Sequence, residues 1–434
     1  MKKFMIISVL IALTLSLTGC FWRRDRSENG ASTETLTLTI WEDTKNIEMI
    51  MTITDEFARY YALTYPNAPR LRFDIVPHSE QSAIEDLVLD GPAGRGPDIV
   101  AFVHDTLGVA VGGNHLAPNM FAATIRAEHT EEAAHAASLN DVMYGFPITS
   151  ESQILIYRPS KMSALQAENI ETIIGTDAAN ARLVWDIYEG YYSFGLLNDA
   201  MLYGVDGETT TGPNFLNFAT PQAIENILYM HTHFSGNTNL RIPGKISGTT
   251  DIEGLNQFLS QTVDAIIVAP YFWATAKEAF GADVAMTVLP QVNGQQMRPF
   301  SGYKLYGVSR YSKHPALAQE LANFLVSDWA QALRFRDRSL LPTQTSLLEK
   351  MDQNTIVVNH WRNLDSLRMT IPEATLAEGR VFLASLETSI LMPKIERFSA
   401  FWLAYANNMK ALWEQGTLTQ AQLIEYLNNM TRNM

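Results

Sequence analysis

The chain has a single cysteine, Cys20, in 434 residues. A lone thiol closes no disulfide, and it leaves structural zinc without its usual set of sulfur ligands. Charge is scarce as well, at 18% of residues against 47% hydrophobic, and that balance excludes a disordered, collagen-like or coiled-coil chain. Basic side chains are the minority, with Lys+Arg 32 against Asp+Glu 46 and a net charge of -14. Such a surface does not track phosphates, so nucleic acid is excluded as a partner. No Gly-x-Ser-x-Gly elbow, Walker loop, Gly-x-Gly-x-x-Gly or His-Glu-x-x-His occurs, and hydrolysis would have to rest on carboxylates alone. The nine histidines form no ligand set. His231-x-His233 alternates as a strand or loop would, and His129 and His135 would fall on opposed helix faces. They read as surface histidines, with no metal and no cofactor.

What is present begins with a targeting element. Lys2 and Lys3 precede the apolar stretch from Phe4 to Leu17, which runs into Leu17-Thr18-Gly19-Cys20. A basic start, a short apolar region and small residues before a cut make an export signal, residues 1–19. Leu-x-Gly-Cys at its end resembles the bacterial lipoprotein box, with Cys20 lipidated after cleavage between Gly19 and Cys20. The cut removes two lysines and no acid, taking the net charge from -14 to -16, so lipid rather than charge would hold the protein at the membrane. Residues 20–35 are polar after Trp22 and lack periodicity, as a flexible tether does.

The remaining length exceeds one compact core and allows two. Leu36, Leu38 and Ile40 alternate with threonines into Trp41, which predicts a strand. Ile50, Ile53, Phe57 and Tyr61 then mark a helix from Ile47 to about Tyr61. A strand over Leu71–Val76, a helix over Ser82–Leu89, a turn at 94–97 and a buried strand over Asp98–Val103 follow. The order βαβαβ implies an α/β fold on a parallel sheet covered on both faces. Ligands gather beyond the carboxyl ends of such strands. Those ends, Trp41-Glu42-Asp43-Thr44-Lys45 and Phe102-Val103-His104-Asp105, each pair a ring with carboxylates. A flat apolar face and a multiple hydrogen-bond acceptor are what a polyhydroxylated ring needs, although each aromatic taken singly also fits a core.

Longer motifs add a resemblance. Gly96-Pro97-Asp98-Ile99-Val100 with Phe102-Val103-His104-Asp105 resembles a stretch of the bacterial maltose/maltodextrin-binding proteins, the extracellular solute-binding subunits of sugar ABC importers. Phe146-Pro147-Ile148 with Glu151 and Leu155-Ile156-Tyr157 resembles that family's first crossover. Glu189-Gly190-Tyr191-Tyr192, Ala269-Pro270-Tyr271-Phe272-Trp273, Val288-Leu289-Pro290 with Arg298-Pro299-Phe300, Met392-Pro393 and Ser399-Ala400-Phe401-Trp402 continue the series in order. The likeness covers nearly all of residues 36–434.

The resemblance implies a two-lobed periplasmic-binding-protein-like fold of type II, with three interlobe crossings and a sugar cleft between lobes. Residues 36–149 and 301–355 would form the first lobe, and 150–300 and 356–434 the second. It implies sugar contacts from Asp43, Lys45, Phe102 and Asp105 on the first lobe, Glu151 at the crossover, and Glu189, Tyr191, Tyr192, Tyr271 and Trp402 on the second. Thr106 stands where the family has an arginine and Tyr271 where it has a tryptophan, which implies a preferred sugar other than maltose. The implied protein is a monomer on the outer face of the cell membrane, no enzyme, that hands its sugar to a permease. A secreted carbohydrate hydrolase with paired carboxylates, such as Glu151 with Glu189 or Asp105, is the alternative from the residues alone. A tethered adhesin is a third class, one that would need no ring-lined strand ends.

Overall fold

A computed structural model describes residues 34–175, 182–198, 217–243, 250–359, 361 and 366–432. The export signal, Cys20 and nearly all of the tether lie outside the described residues. Contacts divide the described chain into a small unit, residues 34–37 and 58–72, and a large one holding the rest. In the small unit the Arg70 N–H donates to the Glu34 carbonyl at 3.0 Å, and the Tyr61 and Tyr65 rings lie 5.0 Å apart.

The first elements follow the hydrophobic pattern. A strand runs Thr35–Glu42, a helix Ile47–Thr64, a strand Arg70–Pro77, a helix Ala83–Asp90 and a strand Ile99–Val103. The helix buries Ile50, Ile53 and Phe57, the three- and four-residue spacing that puts side chains on one face. Asp98, just before the last of these strands, is a structural acid. Its carboxylate accepts from the Thr39 N–H at 2.8 Å and from the Ser312 hydroxyl at 2.5 Å, tying two neighbouring segments together.

Most of the described strands lie in two sheets. The six-stranded sheet has the order Ile390–Leu391, Phe300–Val308, Ile99–Val103, Thr35–Glu42, Arg70–Pro77, with Gly145–Ser152 also paired to Phe300–Val308. The expected parallel pairing holds between Thr35–Glu42 and Ile99–Val103. It does not extend through the sheet, because Phe300–Val308 arrives from the second sheet and pairs antiparallel with Ile99–Val103. The five-stranded sheet has the order Ala285–Thr287, Ile154–Tyr157, Ala265–Val268, Leu183–Val184, Leu240–Arg241. The chain thus leaves the first sheet at Ser152 and enters the second at Ile154, with Gln153 as the pivot. The result is a two-lobed α/β fold in mixed sheets.

Turns and caps follow ordinary chemistry. Asn140-Asp141 and Asn293-Gly294 close two-residue hairpins with both central residues at positive φ, the twist that such tight turns need. Thr419 and Gln422 form a reciprocal cap on the last helix. The histidines depart from expectation. His104, His115, His129 and His231 are buried, and His231 and His233 lie in a helix, Pro221–Phe234. Burial pushes the His104 and His129 imidazoles down to about 3, so both are neutral packing groups.

Candidate functional site

The site starts from three short devices. In Glu189-Gly190-Tyr191 the Glu189 carboxylate accepts from the Tyr191 N–H at 3.3 Å and caps the turn Gly190–Ser193. Gly190 is needed because a Cβ there would lie 2.8 Å from the Phe401 ring, so the turn packs directly on the helix Phe401–Trp413. Tyr191 then lies within electrostatic reach of Asp105.

Trp402 itself is held by rings. It meets Phe398 at 5.2 Å and Phe401 at 5.0 Å, both near edge-to-face, and Phe398 stacks on Phe401 at 4.6 Å. Each such pair adds about 0.5 to 1.5 kcal/mol beyond the area it buries, enough to fix an indole that is only half-buried.

The third device joins Asp105 to this platform. Tyr303 N–H donates to His104 Nδ1 at 3.1 Å, which leaves Nε2–H to donate to the Met392 carbonyl at 2.9 Å. Gly108 follows, where a Cβ would lie 2.4 Å from the Lys394 carbonyl and the Glu396 nitrogen. The segment carrying Asp105 therefore lies directly against the one leading to Trp402. Burial pushes the Asp105 carboxyl up to about 7, against its own N–H, the Thr106 N–H and the Trp402 side chain, all of which favour its ionised form. Thr106 turns its hydroxyl to the Val103 carbonyl at 2.8 Å.

A cleft of about 160 Å³ extends from Glu151 and Tyr271 and is also lined by Lys45, Glu80, Lys304 and Arg334. Lys45 sits on the turn Thr44–Asn46, which Asp43 caps through the Lys45 N–H at 3.1 Å. Lys45 Nζ lies 3.4 Å from the Asp43 carboxylate and 5.1 Å above the Tyr271 ring. Lys304 approaches the same ring to 5.7 Å, with its ammonium 2.9 Å from Glu80 and 3.9 Å from Glu151. Burial acts to lower the Lys304 amine, but the two carboxylates outweigh it and hold the amine above its usual range. Behind this group Glu42 is buried. It accepts from the Tyr306 hydroxyl at 2.5 Å and the Asn46 amide at 2.9 Å, and burial raises its carboxyl with help from neighbouring Glu80.

Tyr191 ties the two halves. Burial raises its phenol well above the usual value, with Glu151, Tyr271 and Asp105 close enough to add to the shift. Asp105, Glu151, Tyr191, Tyr271 and Trp402 are therefore brought together, with Asp43 and Lys45 at the Tyr271 end. Glu189 is half-buried beside them as the cap of Tyr191.

Two expected contacts are corrected. Phe102 is fully buried and packs where the Gly307 backbone and Leu116 close over it, so it is a core ring. Tyr192 is 6% exposed, packed in the core that holds Leu155 and Ile267 of the five-stranded sheet and edge-on to Tyr191 at 5.3 Å. Trp41, at the other strand end, is buried too and stacks on His78 at 4.1 Å. The strand-end rings face inward because alternating residues of a doubly covered strand are all buried. Lys304, Glu80 and Gln153 were missed from sequence. A lone charge within the otherwise uncharged strand Phe300–Val308 was the available signal for Lys304.

Comparison with known proteins gives the family and the fold. The sequence pattern of the family described as bacterial extracellular solute-binding protein matches residues 71–358. The chain belongs to that family, whose place is outside the cytoplasmic membrane. Its relatives include the galactooligosaccharide-binding protein of Bacillus subtilis (strain 168), 24% identical over 80% of this chain and 82% of that protein. The maltodextrin-binding protein MdxE of the same organism is 25% identical over 81% of this chain and 83% of its own length. Among solved structures, a cyclo/maltodextrin-binding protein complexed with maltotetraose superposes with a TM-score of 0.70 at 25% identity, covering 94% of this chain and 98% of that one. The maltodextrin-binding protein MalE1 from L. casei BL23, at 17% identity, shares the fold with a TM-score of 0.74 over 93% of this chain and 99% of that one. The family expected from the colinear motifs is the one found.

Proposed function

We propose that this protein captures a sugar, an oligosaccharide, by hinge closure and delivers it to the permease of an ABC importer, as a monomeric lipoprotein anchored through Cys20. The observation that carries this reading is that Asp105, Glu151, Tyr191 and Tyr271 come together, with the Trp402 side chain reaching Asp105. Carboxylates accept hydroxyl hydrogen bonds while the rings cover the apolar faces of pyranoses. The relatives named for galactooligosaccharide and maltodextrin support the same solute class. Residues 36–149 and 301–355 form one lobe in this reading and 150–300 and 356–434 the other. A sugar touching both binds the closed form better and shifts the population toward it. The groups holding Asp105 are N–H donors rather than a guanidinium fork, which favours a sugar other than maltose. Calorimetric titration with a panel of oligosaccharides tests this, with mass spectrometry of the recovered sugar. Saturable binding of an intact sugar is expected; turnover would instead establish the hydrolase.

Asp105 makes the binding pH-dependent. Its folded value of about 7 lies above the ordinary 3.8, so the free protein keeps this proton through the window between them. The stability it contributes is present below the unfolded value and is lost as pH rises through the folded one. Sugar hydroxyls donate to the ionised form, so binding releases a proton. Affinity is expected to climb up to about tenfold per pH unit below 7 and to level off above it. Titrations at acid and neutral pH, in buffers of different ionisation enthalpy, check this. A flat profile, or the same slope in Asp105→Asn, would count against it.

A further inference from the structure

Gln153 occupies the pivot between Ser152, whose hydroxyl donates to the Phe300 carbonyl at 2.9 Å, and the first strand of the second sheet. Its own carbonyl is fixed by the Ser385 hydroxyl at 2.5 Å. The side chain is fully buried, yet neither its amide oxygen nor its amide nitrogen has a hydrogen-bond partner. The buried Tyr191 hydroxyl is in the same condition, and it faces this amide without reaching hydrogen-bond geometry. An unsatisfied buried amide is costly, and an apolar side chain of similar shape would relieve that cost. Buried polar groups of a native fold are paired as a rule, so an exception beside the site calls for an explanation.

We infer that Gln153 is a positioning residue for solute recognition. Its amide donates to the Tyr191 hydroxyl in the occupied cleft and aims that hydroxyl's proton at one ligand hydroxyl near Glu151 and Asp105. Glu151, two residues earlier, lies within the electrostatic reach of the same phenol, so the crossover segment supplies both a direct acceptor and the aiming group. The inference rests on the sugar-binding reading above.

The test uses Gln153→Met, which keeps the unbranched shape, and Tyr191→Phe, each titrated with the best sugar of the panel and melted without ligand. Gln153→Met is expected to melt higher than the parent protein while binding about fivefold more weakly, the size of one neutral hydrogen bond. Tyr191→Phe should weaken binding similarly, and the double variant should be no worse than either single one. A lower melting temperature with unchanged affinity in Gln153→Met would show a purely structural amide and overturn the inference. Additive losses in the double variant would also overturn it. Failure of the parent protein to bind any sugar would instead defeat the functional reading.

Discussion

Lys304→Met is expected to destabilise the protein by roughly 3 to 5 kcal/mol, the usual cost of removing one partner from a buried ion pair. The amine is almost wholly enclosed, 2.9 Å from Glu80 and 3.9 Å from Glu151. Without it two carboxylates are left in a poorly hydrated pocket that also holds Glu42 nearby. The variant also loses the cation above Tyr271, so its sugar affinity should fall with its stability. Adding Glu80→Gln removes one stranded charge and should recover most of the stability. Urea unfolding of the single and double variants measures both effects. An unchanged midpoint in Lys304→Met would mean that the amine is hydrated and the pair is not a buried one.

Trp402→Ala carries the second large effect, and here it falls on binding. The indole is half-buried and its edge is used by Asp105, so it presents ring surface without filling the centre of a core. Losing that surface should weaken sugar binding by about 1.5 to 3 kcal/mol, or roughly ten- to hundredfold. A core tryptophan would behave differently, costing about 3 to 5 kcal/mol of stability. Calorimetry and ligand-free melting separate the two. Unchanged affinity with a steep drop in melting temperature would place Trp402 with Phe398 and Phe401 in the core.

Local periodicity made residues 36–103 legible. Ile50, Ile53 and Phe57 announce a helix face whatever lies around them, and the helix found runs only to Thr64, a few residues past the expected end. The direction of Phe300–Val308 was not legible, because strand pairing is decided between segments far apart in sequence. In the candidate site, the carboxylates come together with Tyr191, Tyr271 and Trp402, and the strand-end rings do not. Asp105 keeps its place because a carboxyl group, charged or neutral, must find water or hydrogen-bond partners. Phe102 and Trp41 are equally content in a core, and the core took them. Gln153 had no signal at all in one sequence. Its meaning lies in the partners it does not have, and only packing reveals those.

The central claim is that a sugar closes the cleft, and small-angle X-ray scattering of the mature chain with and without the best sugar tests it most directly. A smaller radius of gyration at saturation, absent in Trp402→Ala at the same sugar concentration, is the expected result. Saturable binding with no change in radius would contradict capture by closure.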